Sequence, residues 1–284
     1  MSMETLTHSL SRFAGVIVLA AGLSPYGNGT ALAEESLSDE AHWQSMQREV
    51  FGSRLLQEDD GVVIIDAPVR AEDASVVPLT VRVPPSVKGP LKSMWLIIDK
   101  NPAPVALTVT FGPAAGNGGG ERRFTTRVRI DSYSYVHAIV ETDDGVLHMK
   151  KAFVKASGGC SAPAPKDADK ADDDLGKTLV KSFEPAMETA ALREAQIMIK
   201  HPNNNGMQMD PVTRSYIPAR FIREITVTRG SDLVFKAETS FSLSTNPNLR
   251  FTYENAKDSA LDVTSIDTDE TTFVAHSTRV ANTQ

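Results

Sequence analysis

The sequence is poor in the residues that usually carry chemistry. Of 284 residues only one, Cys160, is a cysteine, so no internal disulfide is available to the chain. The six histidines are scattered, and no H-x-x-x-H, C-x-x-C, glycine-rich phosphate loop or G-x-S-x-G occurs. These absences remove the common metallohydrolase, redox-dithiol, nucleotide-binding and serine-hydrolase signatures. The expectation is a protein that is not an enzyme and that holds no cofactor and no metal of its own. An excess of positive charge is also missing: 29 basic residues stand against 36 acidic ones, a net charge of −7, which argues against nucleic acid as a partner. Long apolar runs are lacking too. The longest, Phe13 to Leu23, is short for a membrane span, and no membrane partner is expected.

That short run has a different reading. Arg12 precedes it and Ala31-Leu32-Ala33 follows it, the layout of a signal peptide over residues 1–33 cleaved near Ala33. The mature protein is expected outside the cytoplasm, where cysteines usually come in pairs. A solitary exported cysteine is a free reactive thiol, a partner for another chain, or incidental. Its surroundings, Lys155-Ala-Ser-Gly-Gly-Cys160-Ser-Ala-Pro-Ala-Pro165, do not read as core.

What is present is the grammar of β-structure. After an amphipathic helix within residues 34–60, with Ser38 as N-cap, Gly52 as stop and Trp43, Met46, Gln47, Val50 and Phe51 at helical spacing, short β-rich runs follow one another between Pro, Gly, Asn and Asp. Seven are expected in residues 61–156, with a hairpin turn at Asp143-Asp144-Gly145. The alternation is clearest where Phe124, Thr126, Val128 and Ile130 face one way and Thr125, Arg127 and Arg129 the other. Residues 157–176, rich in Gly, Pro, Ala, Asp and Lys, read as a flexible linker. A short helix is expected within Pro185 to Arg193, a strand at Gln196 to Lys200, and further strands to the end of residues 177–284. Strands without intervening helices predict an all-β fold: two immunoglobulin-like antiparallel β-sandwiches joined by a flexible linker, with a short N-terminal helix.

The first half, through "VVPLTVRV", "IDKNPAPVALTVTFGP" and "VKASGGC", resembles SoxY, the subunit that carries sulfur intermediates on a cysteine in bacterial sulfur oxidation. The second, through "IMIKHPNNNGMQMDPVTRSYIPARFIREITVT" and "SLSTNPNLRFTY", resembles its partner subunit, SoxZ. Fused in one chain, they are similar to the quinoprotein dehydrogenase-associated SoxYZ-like carriers. SoxY ends in Gly-Gly-Cys-Gly-Gly; here Ser161-Ala162-Pro163 and a further domain follow the cysteine. The resemblance implies a periplasmic carrier of a covalently bound, sulfur-containing group on Cys160, with Gly158 and Gly159 as the carrier arm. It implies partners among periplasmic redox enzymes, a quinoprotein dehydrogenase or a cytochrome. A homodimer linked through Cys160 is a rival fate for the same thiol.

A carrier thiol is expected to be exposed, free of bulky neighbours and not activated by its own chain, since an ordinary thiol titrates near about 8.5. His201 with Met207 and Met209 has the softness for Cu(I) but reads better as a local surface loop. His137 and His148 lie on strands of one hairpin, where facing each other or serving as ordinary strand residues are both open. Two other classes stand beside the carrier: a non-covalent accessory of a periplasmic quinoprotein dehydrogenase with Cys160 incidental, and an immunoglobulin-like adhesion protein.

Overall fold

The computed structural model describes residues 28–58, 61–162, 174–185, 187, 189–210, 212–256 and 260–279, with side chains described from residue 38 to residue 277. The expected leader up to residue 27 and linker residues 163–173 lie outside the described residues. The first-half strands form where the alternation places them: β2 (Ile64–Asp66), β3 (Val77–Val83), β4 (Leu91–Ile98), β5 (Val105–Phe111), β6 (Arg122–Val128), β7 (Ser134–Thr142) and β8 (Leu147–Val154). A further strand, β1 (Leu56–Glu58), lies between the end of the helix and the first expected strand and runs parallel to β8. The second half contributes β9 (Thr178–Ser182), β10 (Leu192–Ile199), β11 (Ile222–Arg229), β12 (Asp232–Thr239), β13 (Asn248–Glu254), β14 (Asp262–Asp267), β15 (Thr272–His276) and β16 (Thr278–Arg279).

Helix α1 (Asn28–Phe51) begins well before Ser38, the expected cap. It ends as expected at Gly52, whose φ of +63° and N–H bond to the Arg48 carbonyl make the left-handed stop that glycine permits. Trp43, Met46 and Phe51 are buried against Ile97, Ile139, Leu147 and Met149, each worth about 1.5–3 kcal/mol when fully buried. The Trp43 ring lies parallel to His137 at 3.7 Å. The helix expected within 185–193 is not found among the described residues there. Leu192 and Arg193 instead open β10 and pair with Glu254 and Tyr253 of β13, so cross-strand pairing overrides a weak local helix preference.

The fold is two immunoglobulin-like antiparallel sandwiches, and their sheets are continuous. One sheet runs β1-β8-β7-β4-β5-β12-β11-β14-β15, the other β16-β9-β10-β13-β6-β3-β2. The halves therefore meet twice by strand pairing, β5 with β12 and β6 with β13, and one hydrophobic core extends through both. At this seam Phe235 packs edge-on to Phe251 at 4.8 Å and to Phe124 at 5.5 Å. The junction is thus made by packed strands in addition to the covalent connection, because each half alone would leave strand edges unpaired.

Candidate functional site

Inward-facing Phe124, Thr126, Val128 and Ile130 are buried as the alternation predicts, and Arg127 faces solvent. Arg129 departs from the pattern. Strand β6 ends at Val128, so the face rule no longer applies, and Arg129 turns into the protein with 1% of its surface exposed. Its Nη2 donates to the Asn203 carbonyl and to Thr245 Oγ1, each at 3.0 Å. Its own backbone is clamped from both halves: its N–H donates to the Ser242 carbonyl at 2.7 Å, and its carbonyl accepts from Asn101 Nδ2 at 2.7 Å. Asn101, the first residue of the Asn-Pro-x-Pro turn, also donates to Ser242 Oγ and accepts from the Asp131 N–H. Both halves of the chain thus supply this buried polar network.

Cys160 sits beside that network. The expected exposed, flexible arm is corrected here: residues 158–160 are docked, and Cys160 is free but fully buried. After β8, Lys155 donates to the Val69 carbonyl and accepts from the Ala71 N–H, which fixes the exit of the chain. The Gly158 N–H then donates to the Asp131 carbonyl at 2.8 Å and the Gly159 N–H to the Ile130 carbonyl at 3.0 Å. The glycines have a different reason from the one expected. Gly158 adopts a φ of +77°, which side chains disfavour, and a Cβ on Gly159 would stand 2.1 Å from the Ala74 carbonyl oxygen. They permit close docking.

The second half closes the site through His201-Pro202-Asn203-Asn204-Asn205. Asn205 Nδ2 donates to the Cys160 carbonyl at 2.5 Å, while its own Oδ1 accepts from the Met207 N–H and its N–H donates to Gln208 Oε1. Asn203, held at a φ of +51°, donates through Nδ2 to the Leu243 carbonyl and accepts at Oδ1 from the Ile222 N–H. Asn205 thus braces the cysteine segment, while Asn203 ties the loop to the second half and to Arg129.

Electrostatics at the thiol follow from this placement. Burial, reinforced by the negative charge of Asp131, pushes the Cys160 thiol up to about 11, with the Arg129 cation pulling the other way. The thiol is therefore neutral at pH 7, unactivated as expected, though through desolvation rather than through solvent screening of its neighbours. Arg129 is pulled down by its own burial and lifted by Cys160 and Asp73.

The other sequence candidates separate. His201 is buried, accepts at Nδ1 from the Asn203 N–H and lies with Nε2 3.5 Å from Asp267; burial is the largest influence and lowers its pKa. Met209 is about half exposed and its backbone bridges to Tyr216. Among the described residues no group of three His, Cys, Asp or Glu side chains is placed to hold a metal. His137 and His148 do not face each other: their register partners are Lys151 and Val140. His137 contacts Asp99 at 2.9 Å, and His148 meets Thr142 Oγ1 at 3.0 Å. Among the described residues no helix is long and apolar enough to cross a membrane.

Sequence reasoning missed Arg129, Asn203 and Asn205 as neighbours of Cys160. The available signal was weak, three successive asparagines after His-Pro and an arginine beyond the end of a strand.

Two family models match the chain. Residues 47–160 match the one described as sulfur oxidation protein SoxY, a match that ends on Cys160, and residues 181–278 match sulphur oxidation protein SoxZ. Among solved structures, the sulfur carrier protein SoxY from Chlorobium limicola f thiosulfatophilum is 19% identical, over 44% of this chain and 99% of that one, with a TM-score of 0.36. A superoxide reductase (neelaredoxin) from Ignicoccus hospitalis is 17% identical, over 38% and 98% of the two chains, with a TM-score of 0.30. Neither likeness is strong enough to carry a functional conclusion. No curated protein matches.

Proposed function

Given that the chain belongs to the SoxY and SoxZ families, one domain of each in tandem, we propose that it is a sulfur-oxidation carrier that bears a sulfur-containing group covalently on Cys160. It presents that group to partner sulfur-oxidation enzymes and catalyses nothing itself. The observation that carries this reading is the position of the thiol. The SoxY match ends on Cys160, and the residue that holds the Cys160 carbonyl, Asn205, belongs to the SoxZ match. The only cysteine of the chain lies where the two domains meet.

Mechanistically, a fully buried neutral thiol is protected between encounters. Loading and delivery require the segment around Gly158 to Ser161 to leave its dock, and the partner enzyme supplies the environment that makes the thiolate. The proposal extends to a periplasmic location, from the leader read in residues 1–33, and to a quinoprotein dehydrogenase or cytochrome among the redox partners. An exported protein whose mature mass begins far upstream of residue 34 sinks the leader reading.

One observation favours a second reading. The complete burial and raised pKa of Cys160 suit a non-covalent accessory in which the cysteine is incidental. The deciding experiment is Cys160→Ser in a deletion strain, together with the intact mass of native protein with and without reductant. A reducible mass increment on the Cys160 peptide, and loss of the pathway in the serine variant, are expected. Full restoration by serine overturns the covalent reading and leaves the accessory.

A further inference from the structure

The most anomalous group in the molecule is Arg129. It is 1% exposed, and its two side-chain bonds go to uncharged oxygens, the Asn203 carbonyl and Thr245 Oγ1. Its Nε is buried without an acceptor, and among the described residues no carboxylate forms an ion pair with it. A buried cation without a counter-charge is costly, and natural proteins seldom leave one. The carboxylates nearest in influence do not remove the anomaly. Asp73 is exposed and accepts instead from the N–H and Oγ of Ser75, and Asp131, half-buried beyond the end of β6, acts on the thiol. The remaining group within the guanidinium's field is Cys160 itself, whose segment bonds to the carbonyls of Ile130 and Asp131, the next two residues after Arg129.

We propose that Arg129 is the counter-ion of position 160, a specificity-determining residue that offsets part of the cost of docking a negatively charged group there. The site then reads the charge on the carrier sulfur: a thiolate or an anionic adduct supplies the charge that Arg129 lacks, and a neutral thiol does not. The inference takes its biological meaning from the carrier reading, while its test does not depend on any cargo.

The test uses an isosteric pair in the full chain, Cys160→Asp and Cys160→Asn, each with Arg129 and with Arg129→Met, and reads unfolding by denaturant at pH 7. Relative to the asparagine variant, the aspartate variant is expected to be more stable by about tenfold in the unfolding constant with Arg129 than with methionine at that position. An equal difference in both backgrounds overturns the proposal. Should Arg129→Met fail to fold, the same pair is compared in an Arg129→Gln background, where an unchanged difference again overturns the proposal. Failure here with Cys160→Ser still inactive in the cell removes only the role of Arg129. Success here with an active serine variant removes only the carrier.

Discussion

The same two halves are joined in two chemically opposite ways. Along the strand seam, β5 meets β12 and β6 meets β13 over a core containing Phe124, Phe235 and Phe251. Around Cys160, the halves meet through Asn101, Arg129, Asn203, Asn205, Ser242 and Thr245. Apolar burial is non-directional and contributes stability roughly in proportion to area. Buried polar groups contribute little net stability when paired and cost much when left unpaired. The apolar seam therefore holds the halves together, while the polar side fixes where one short segment lies and how easily it leaves.

The largest effect belongs to the apolar side. Phe251→Ala is expected to cost about 3–5 kcal/mol in chemical denaturation and to destabilise both halves in one shared transition, with little change in Cys160 labelling relative to that loss. Two separate transitions would break the picture of a single core.

Next in size is Gly159→Ala, which acts on the polar side. A Cβ cannot fit 2.1 Å from the Ala74 carbonyl, so the segment is expected to undock and thiol labelling to rise by roughly tenfold or more, about 1.4 kcal/mol of docking lost. Labelling at the wild-type rate in a folded variant would show that the dock does not control the thiol.

Asn205→Ala removes the bond to the Cys160 carbonyl and the acceptor of the Met207 N–H. It is expected to cost about 1 kcal/mol and to raise labelling a few-fold, in proportion. A loss as large as that for Phe251→Ala would erase the contrast between the two sides.

Titration gives the smallest effect at neutral pH. The Cys160 thiol is raised to about 11 on folding, so burying it neutral contributes stability that is intact below the ordinary thiol value of about 8.5. That contribution is lost as pH climbs from there towards 11. The difference in stability between wild type and Cys160→Ser is expected to be flat from pH 6 to 8 and to shift against the wild type above that. A shift beginning near pH 7 would mean that Arg129 outweighs burial.

The strands were legible because alternation is a local consequence of backbone geometry: Phe124, Thr126 and Val128 show it in sequence and are buried in the structure. The apolar face of α1 was legible for the same reason, through Trp43, Met46 and Phe51. The parallel strand β1 was not, since Leu56–Glu58 is short and owes its state to β8, distant in sequence. Nor was the absence of a helix around Arg193, which Tyr253 decides by pairing with it.

By itself the sequence determined the all-β class, the tandem of two domain types and the uniqueness of Cys160, because composition, period and motif are properties of neighbouring residues. Tertiary structure alone decided that the two sandwiches share continuous sheets, that Gly159 fits only as glycine, and that Cys160 is buried with its carbonyl held by Asn205. Those facts depend on residues far apart in the chain, Ala74, Ile130, Cys160 and Asn205, arriving within hydrogen-bonding or van der Waals reach of one another, and nothing in a local pattern records such a meeting.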